Sequence, residues 1–215
     1  MTMTTDELLT TTRAVRKRLD MDRPVSRELV DECLTLAQQA PTGGNRQTAV
    51  FVVVDDPQRR AALGELYRAG WDQYLVEGVG SGAPQHTDAD PVASRRQRRI
   101  TDSARYLADN LHRVPVHVIP CVRPRTEDAP VTVQASTFGS VLPAAWSFML
   151  AARTRGLGTV FTTLHLFHEA EAAKLLGIPD HYMQVGLIPT AHLRGDGLSP
   201  GPRRLLDEFR RWNAW

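Results

Sequence analysis

An α+β fold is predicted by three features of the 215-residue sequence. Helical and β-prone segments interleave along it without the regular strand–helix–strand spacing of a doubly wound sheet. No internal repeat or low-complexity tract breaks it into smaller units. Its composition, 42% hydrophobic and 23% charged, is that of an ordinary globular chain long enough to bury one sizeable core. A single domain over residues 1–215 is therefore expected.

The same totals limit the partners. A net charge of +2 is too small to make nucleic acid or a membrane surface the main partner. Residues 1–12 lack the basic-then-apolar order of a signal peptide. No apolar run is expected to reach the ~20 residues that span a bilayer. Cys33 and Cys121 have neither CxxC spacing nor an obvious histidine partner. Buried free thiols in a reducing, cytoplasmic compartment are expected, with no metal site.

The elements follow in order. Asp6 to Thr12 reads as a short helix with acids in its first turn, where the helix dipole favours them. Arg13-Ala14-Val15-Arg16-Lys17-Arg18 comes next; two arginines three apart can converge on one anion, or simply form a solvated basic face. Ser26 caps a helix that carries Leu29, Cys33, Leu36, Ala37 and Ala40 at helical spacing. Ala49 to Val54 is a continuously apolar strand, expected to be covered on both faces. Asp56-Pro57 opens a further helix that reaches Trp71 or Tyr74. Glu77 to Pro91, rich in glycine and proline, reads as a long loop.

Helical spacing resumes from Val92 to His112, beginning with the basic run Arg95 to Arg99. That run reads as a solvated face or a grip on an anionic cosubstrate; nucleic acid fits the low net charge less well. Val116 to Val122 is a strand, in which Pro120 suggests an edge position or a bulge. Arg123 to Pro130 reads as loop, and Gln134 to Arg155 as a helix apolar on nearly all sides, with Pro143 expected to kink it. Gly156 ends that helix, and Thr159 to Thr163 is β-prone. A short helix from Glu169 to Leu176 stops at Gly177-Ile178-Pro179, and Gln184 to Ile188 is the last strand. Trp212 and Trp215 close the chain; two terminal tryptophans are expected to dock on a surface, such as that of a second subunit.

One stretch organises the rest. Ala40-Pro41-Thr42-Gly43-Gly44-Asn45-Arg46-Gln47 joins a helix to a strand. Pro41 stops the helix, and Gly43 and Gly44 allow positive φ and close backbone approach. Thr42, Asn45 and Gln47 place a hydroxyl and two amides on one short turn. Such groups donate and accept, and suit a planar ligand rich in heteroatoms. A plain helix-to-strand turn would use the same residue types.

Three separated segments together resemble the FMN-dependent nitroreductase family. Arg13-Ala14-Val15-Arg16 is similar to that family's Arg-Ser-x-Arg, and Ala40 to Gln47 to its Ala-Pro-Ser-Gly-x-Asn-x-Gln. Gly156-Leu157-Gly158-Thr159, leading to Leu175-Leu176-Gly177-Ile178-Pro179 and then Arg203-Arg204-Leu205-Leu206-Asp207, matches the family's order in the second half. The resemblance implies a mostly antiparallel central sheet flanked by helices, in an intertwined homodimer that holds FMN between subunits. It implies a variable lid over residues 67–112, with Trp71 and Tyr74 as stacking candidates, and a C-terminal arm over 203–215.

Carried over residue by residue, it places Arg13 and Arg203 on the phosphate and Arg16 by the flavin N1 and O2 edge. Pro41, Thr42, Gly43, Asn45 and Gln47 would contact ring and ribityl chain, some from the other subunit. Thr162 and Thr163 would lie beside N5 and O4. The chemistry suits these roles: guanidinium forks match a phosphate, and a fixed cation stabilises the charge that reduction places at N1–C2=O. Ala14 stands where the family has serine, Thr48-Ala49 where many members have Pro-Trp, and Arg18 near a common aromatic.

The implied activity passes hydride from NAD(P)H through flavin N5 to a nitroaromatic, quinone or similar planar acceptor. The flavin carries the chemistry, so no catalytic side chain is assigned. A storage or sensor module without turnover, a reductive dehalogenase and a flavin-modifying enzyme are the alternatives.

Overall fold

A computed structural model describes residues 3–77, 91–195 and 197–215. Helix α1 (Thr5–Thr11) is capped by the Thr4 hydroxyl, which accepts from the Glu7 N–H, and leads to the short strand β1 (Leu19–Asp20). Helix α2 (Arg27–Ala37) begins at Ser26, whose Oγ accepts from the Leu29 N–H at 3.2 Å. A 3-10 turn (Gly43–Asn45) then leads into strand β2 (Ala49–Val54). Helix α3 (Pro57–Glu77) starts at the expected Asp56-Pro57 signal, with Asp56 Oδ1 accepting from the Arg59 N–H. Helix α4 (Pro91–Asn110) precedes strand β3 (Val116–Val122). The loop expected over Glu77 to Pro91 lies, between those two residues, outside the described ones.

Helix α5 (Val131–Thr154) runs through Pro143 as one element and gives way to strand β4 (Leu157–Thr159). A 3-10 segment (Leu164–His168) and helix α6 (Glu169–Leu176) follow, then strands β5 (Met183–Gln184) and β6 (Ile188–Leu193) and the short helix α7 (Leu206–Phe209). Every pairing between the named strands is antiparallel, in the order β1-β6-β3-β2, with β4 also on β6 and β5 also on β3. The α+β reading is met.

The core lies on both faces of this sheet, because alternate side chains of β3 point opposite ways. Ile119 and Cys121 pack with Leu63, Tyr67 and Trp71 of α3 and Leu107 of α4. Val116 and Val118 pack with Val30 and Cys33 of α2 and Phe148 of α5. Both cysteines are buried free thiols.

Several expectations are corrected. Strand β3 is buried at every position and lies between two neighbours, although it contains Pro120. Its pairing with β6 ends at Val118 and its pairing with β5 begins at Cys121, so Pro120 falls in the gap. The Pro120 carbonyl still accepts from the Val185 N–H, and no ladder bond requires the missing donor. Strand β2 is not covered on both faces: Val50 is 45% exposed and borders open cavities instead of a packed helix. The β-prone run at Thr159 to Thr163 is shifted towards the N-terminus, with β4 ending at Thr159 and Thr162 making one isolated bridge to Leu187. The last strand breaks at residues 185–187 and resumes through Pro189 to Leu193. Helix α5 is long and apolar enough to cross a membrane by length and composition, contrary to expectation, yet half of that window is buried in the fold.

One close approach fixes the geometry beside the site. A Cβ added at Gly70 of α3 would stand 2.0 Å from the carbonyl oxygen of Leu164. Backbone meets backbone there, so neither side can rotate away. Gly70→Ala is expected to destabilise the protein by about 1–3 kcal/mol, despite alanine's better helix propensity, and denaturant unfolding measures this.

Candidate functional site

The segment after α1 is held by Val15. Its side chain is buried in the core, its N–H donates to the Thr159 carbonyl at 2.9 Å, and Gly158 packs directly against it. With Val15 pinned, Arg13, Ala14, Arg16 and Lys17 line a recess of about 350 Å³ closed by Ser103 of α4 and Ser199. Arg13 donates to the Ser199 carbonyl at 3.0 Å. Arg203 arrives from the other end of the chain. A Cβ on Gly201 would meet Arg203 Nη1 at 2.6 Å and Arg13 Nη2 at 3.5 Å, so both guanidiniums close on one point. Arg96 of α4 donates to the Pro202 carbonyl and ties the basic helix to the same corner. No ion pair among the described residues involves Arg13, Arg16 or Arg203.

Arg16 belongs to two cavities. The second, about 340 Å³, is lined by Arg16, Thr162 and Thr163, by Tyr67, Trp71 and Tyr74 of α3, and by α4. Burial lowers the Arg16 pKa from its ordinary value and the neighbouring Tyr67 opposes the shift. A guanidinium keeps its charge regardless. The outcome is a half-buried cation that no carboxylate among the described residues neutralises, at the junction of a basic recess and a cavity walled by aromatics and hydroxyls. Thr101 on α4, also on that wall, has a buried Oγ1 with no hydrogen-bond partner. Unpaired buried donors of this kind suit a ligand that carries acceptors and negative charge. The rings of Trp71 and Tyr74 sit 6.1 Å apart, with Trp71 packed in the core.

The turn from Pro41 to Gln47 is built differently from its sequence reading. Gly44 has φ +60°, but so do Asn45 and Gln47, at 52° and 49°, whereas Gly43 does not. Gly43 serves close approach: a Cβ there would lie 2.7 Å from Ser136 Oγ on α5. Its N–H donates to Ser140 Oγ at 2.9 Å. Left-handed backbone is costly for Gln47 and is held by two bonds. Gln47 N–H donates to Thr42 Oγ1, and Gln47 Nε2 to Asn45 Oδ1. Thr42 and Gln47 line a third cavity of about 370 Å³ against α2, β2 and α5. It shares no lining residue with the first two.

The structure thus brings Arg13, Ala14, Arg16, Thr162, Thr163 and Arg203 to one side, and Thr42, Gly43, Asn45 and Gln47 to another. Sequence reasoning missed Thr101, Ser103, Ser140 and the Tyr67 hydroxyl. Helical spacing could place Thr101 beside Ile100 and Ala104 on one face, but only the packing of α4 shows that this face borders a cavity.

The family model described as Nitroreductase family matches residues 9–192. The chain belongs to the nitroreductase family. Solved structures of the same fold span it almost end to end. A BluB-like flavoprotein from Clostridium difficile 630 is 17% identical, with a TM-score of 0.71 over 99% of this chain and 100% of that one. Iodotyrosine deiodinase, bound to FMN and 3-iodo-L-tyrosine, is 20% identical, with a TM-score of 0.72 over 98% and 99%. An FMN- and NADPH-dependent nitroreductase, NfnB, from Sphigopyxis sp. strain HMH is 23% identical, with a TM-score of 0.68 over 99% and 100%.

Proposed function

We propose that this nitroreductase-family protein is an FMN-dependent oxidoreductase that takes reducing equivalents from NAD(P)H and delivers them to a nitroaromatic, quinone or similar planar acceptor. The observation that carries the reading is Arg16, a half-buried cation with no carboxylate partner among the described residues, shared by a basic recess and a hydroxyl-lined aromatic cavity. Bound FMN would supply the electron-transfer chemistry. The residues present suit it: Arg13 and Arg203 would hold the phosphate, and Arg16 would hold the electron-rich edge of the ring. Thr162 and Thr163 would offer hydroxyls, and Trp71 and Tyr74 would exclude water and flank the acceptor. Residues 67–112 would then form the substrate-facing segment.

We assign Pro41, Thr42, Gly43, Asn45 and Gln47 to the cofactor as well, but across the interface of a cytoplasmic homodimer that needs neither membrane nor nucleic acid. Two features support this. Their cavity is separate from the arginine recess within one chain. Large apolar side chains are left in solvent on α5 (Leu142, Trp146) and throughout the C-terminal arm (Leu206, Phe209, Trp212, Trp215). Residues 203–215 would reach the second copy as an arm.

Protein reconstituted with FMN is expected to oxidise NADH or NADPH with menadione or nitrofurazone well above a free-FMN control. Consumption no faster than that control would favour a storage or sensing role.

A further inference from the structure

Tyr67 does something that core packing does not require. Its ring is buried, 2% exposed, and its hydroxyl lies 2.8 Å from Thr162 Oγ1, with no other hydrogen-bond partner among the described residues. Thr162 has already committed its backbone. Its N–H donates to the Leu187 carbonyl at 3.0 Å, and its carbonyl accepts from the Leu187 N–H at 2.8 Å. Only its hydroxyl remains adjustable, and it lines the cavity that also holds Arg16 and Thr101. A threonine hydroxyl has one proton to donate and can rotate freely. The bond to Tyr67 removes that freedom.

Either hydroxyl of the pair could be the donor, and Arg16, which lines the same cavity as both, biases the choice. A cation attracts the phenol's lone pairs and turns its proton away, towards Thr162. Thr162 Oγ1 then accepts from Tyr67, and its own proton is left for the cavity.

We propose that Tyr67 is a positioning residue that fixes the Thr162 hydroxyl so that its proton is presented to a hydrogen-bond acceptor of the bound ligand. The inference rests on the flavin reading above, under which that acceptor belongs to the N5–O4 edge of FMN.

A double-mutant cycle on FMN affinity, read by flavin fluorescence, tests this. Thr162→Val and Tyr67→Phe are each expected to weaken FMN binding by about 2- to 10-fold, the worth of one hydrogen bond. The double variant is expected to be no weaker than Thr162→Val alone, while Thr162→Ser stays within about 2-fold of wild type. The midpoint potential of the bound flavin should move in the same direction in both single variants. If Tyr67→Phe does not fold, 3-fluorotyrosine at position 67 keeps the ring and makes the hydroxyl a stronger donor, and an unmoved potential there overturns the proposal. So does a Tyr67→Phe protein with wild-type affinity and potential, or effects of the two single variants that multiply. Wild-type protein that binds no FMN overturns the functional reading and this inference with it; the other contrary outcomes overturn this inference alone.

Discussion

Replacing Arg13 and Arg203 together by alanine is expected to abolish FMN retention through purification. Each guanidinium offers charge-assisted hydrogen bonds to a phosphate, worth about 1.5–3 kcal/mol, or roughly 10- to 150-fold in affinity. Neither has a carboxylate partner among the described residues, so little is lost by turning to a ligand. Their present acceptors are carbonyls, Ser199 for Arg13 and Pro202 for Arg203. Fluorescence titration of each single variant and of the pair measures the effect. Lysine at either position should restore only part of it, because an ammonium cannot form the two-pronged contact. Thermal stability should barely change, since both side chains are exposed in the free protein.

Acid is expected to unfold this protein, and two histidines give the reason. His117 and His165 are fully buried. The His117 Nε2 bonds the Leu111 carbonyl, and its Nδ1 has no partner among the described residues; His165 lies beside the Gln184 side chain and Glu169. Burial pushes both down from 6.5 to about 4, although the Leu111 carbonyl pulls His117 back up, as Gln184 and Glu169 do His165. The unfolded chain therefore binds protons first as the pH falls below about 6.5. Stability is complete above that value and is lost progressively towards pH 4, by about 3 kcal/mol for each histidine. Denaturant midpoints measured across this window should fall steeply. His165→Leu removes the proton site and keeps the side chain apolar in a fully buried position. It is expected to retain neutral-pH stability and to cut the acid loss by about half. An unchanged slope in that variant would assign the acid sensitivity elsewhere.

The helices were the most legible part of the chain because their signals are local. Ser26 and Asp56-Pro57 begin α2 and α3, and Gly156 and Gly177, both with positive φ, end α5 and α6. The strands were harder to read, because their limits depend on partners distant in sequence. Pro120 looked like an edge residue, and only the hand-over from β6 to β5 along β3 makes it tolerable in the middle of the sheet. The apolar run of β2 implied two covered faces, but Val50 is left exposed, which the run itself does not signal.

The site divides in the same way. Arg13 and Arg16 could be paired from their spacing, and the buried Val15 between them is what makes that spacing work. That Arg203 would return to Arg13 from 190 positions away was carried by the family resemblance and by no local pattern. The Tyr67 hydroxyl had no local signal, because only the packing of α3 against the segment around Thr162 brings the two together. The polar turn was recognised from its residue types, but the left-handed backbone at Gln47 was not, since glutamine, unlike asparagine, adopts it only where surrounding bonds enforce it.

The central claim is that arginines from one chain and the Thr42–Gln47 turn of another build one flavin site. Subunit complementation measures it directly. One variant carries Arg13→Ala and Arg203→Ala; the other carries Thr42→Ala and Asn45→Ala. Each alone is expected to lose FMN. A two-fold dimer places one intact site and one doubly damaged site in every mixed pair. Co-refolded heterodimer, isolated by two different affinity tags, should therefore bind about one FMN per two chains with wild-type affinity. A heterodimer as empty as its parents, or a turn variant that binds FMN as tightly as the wild type, would contradict the account.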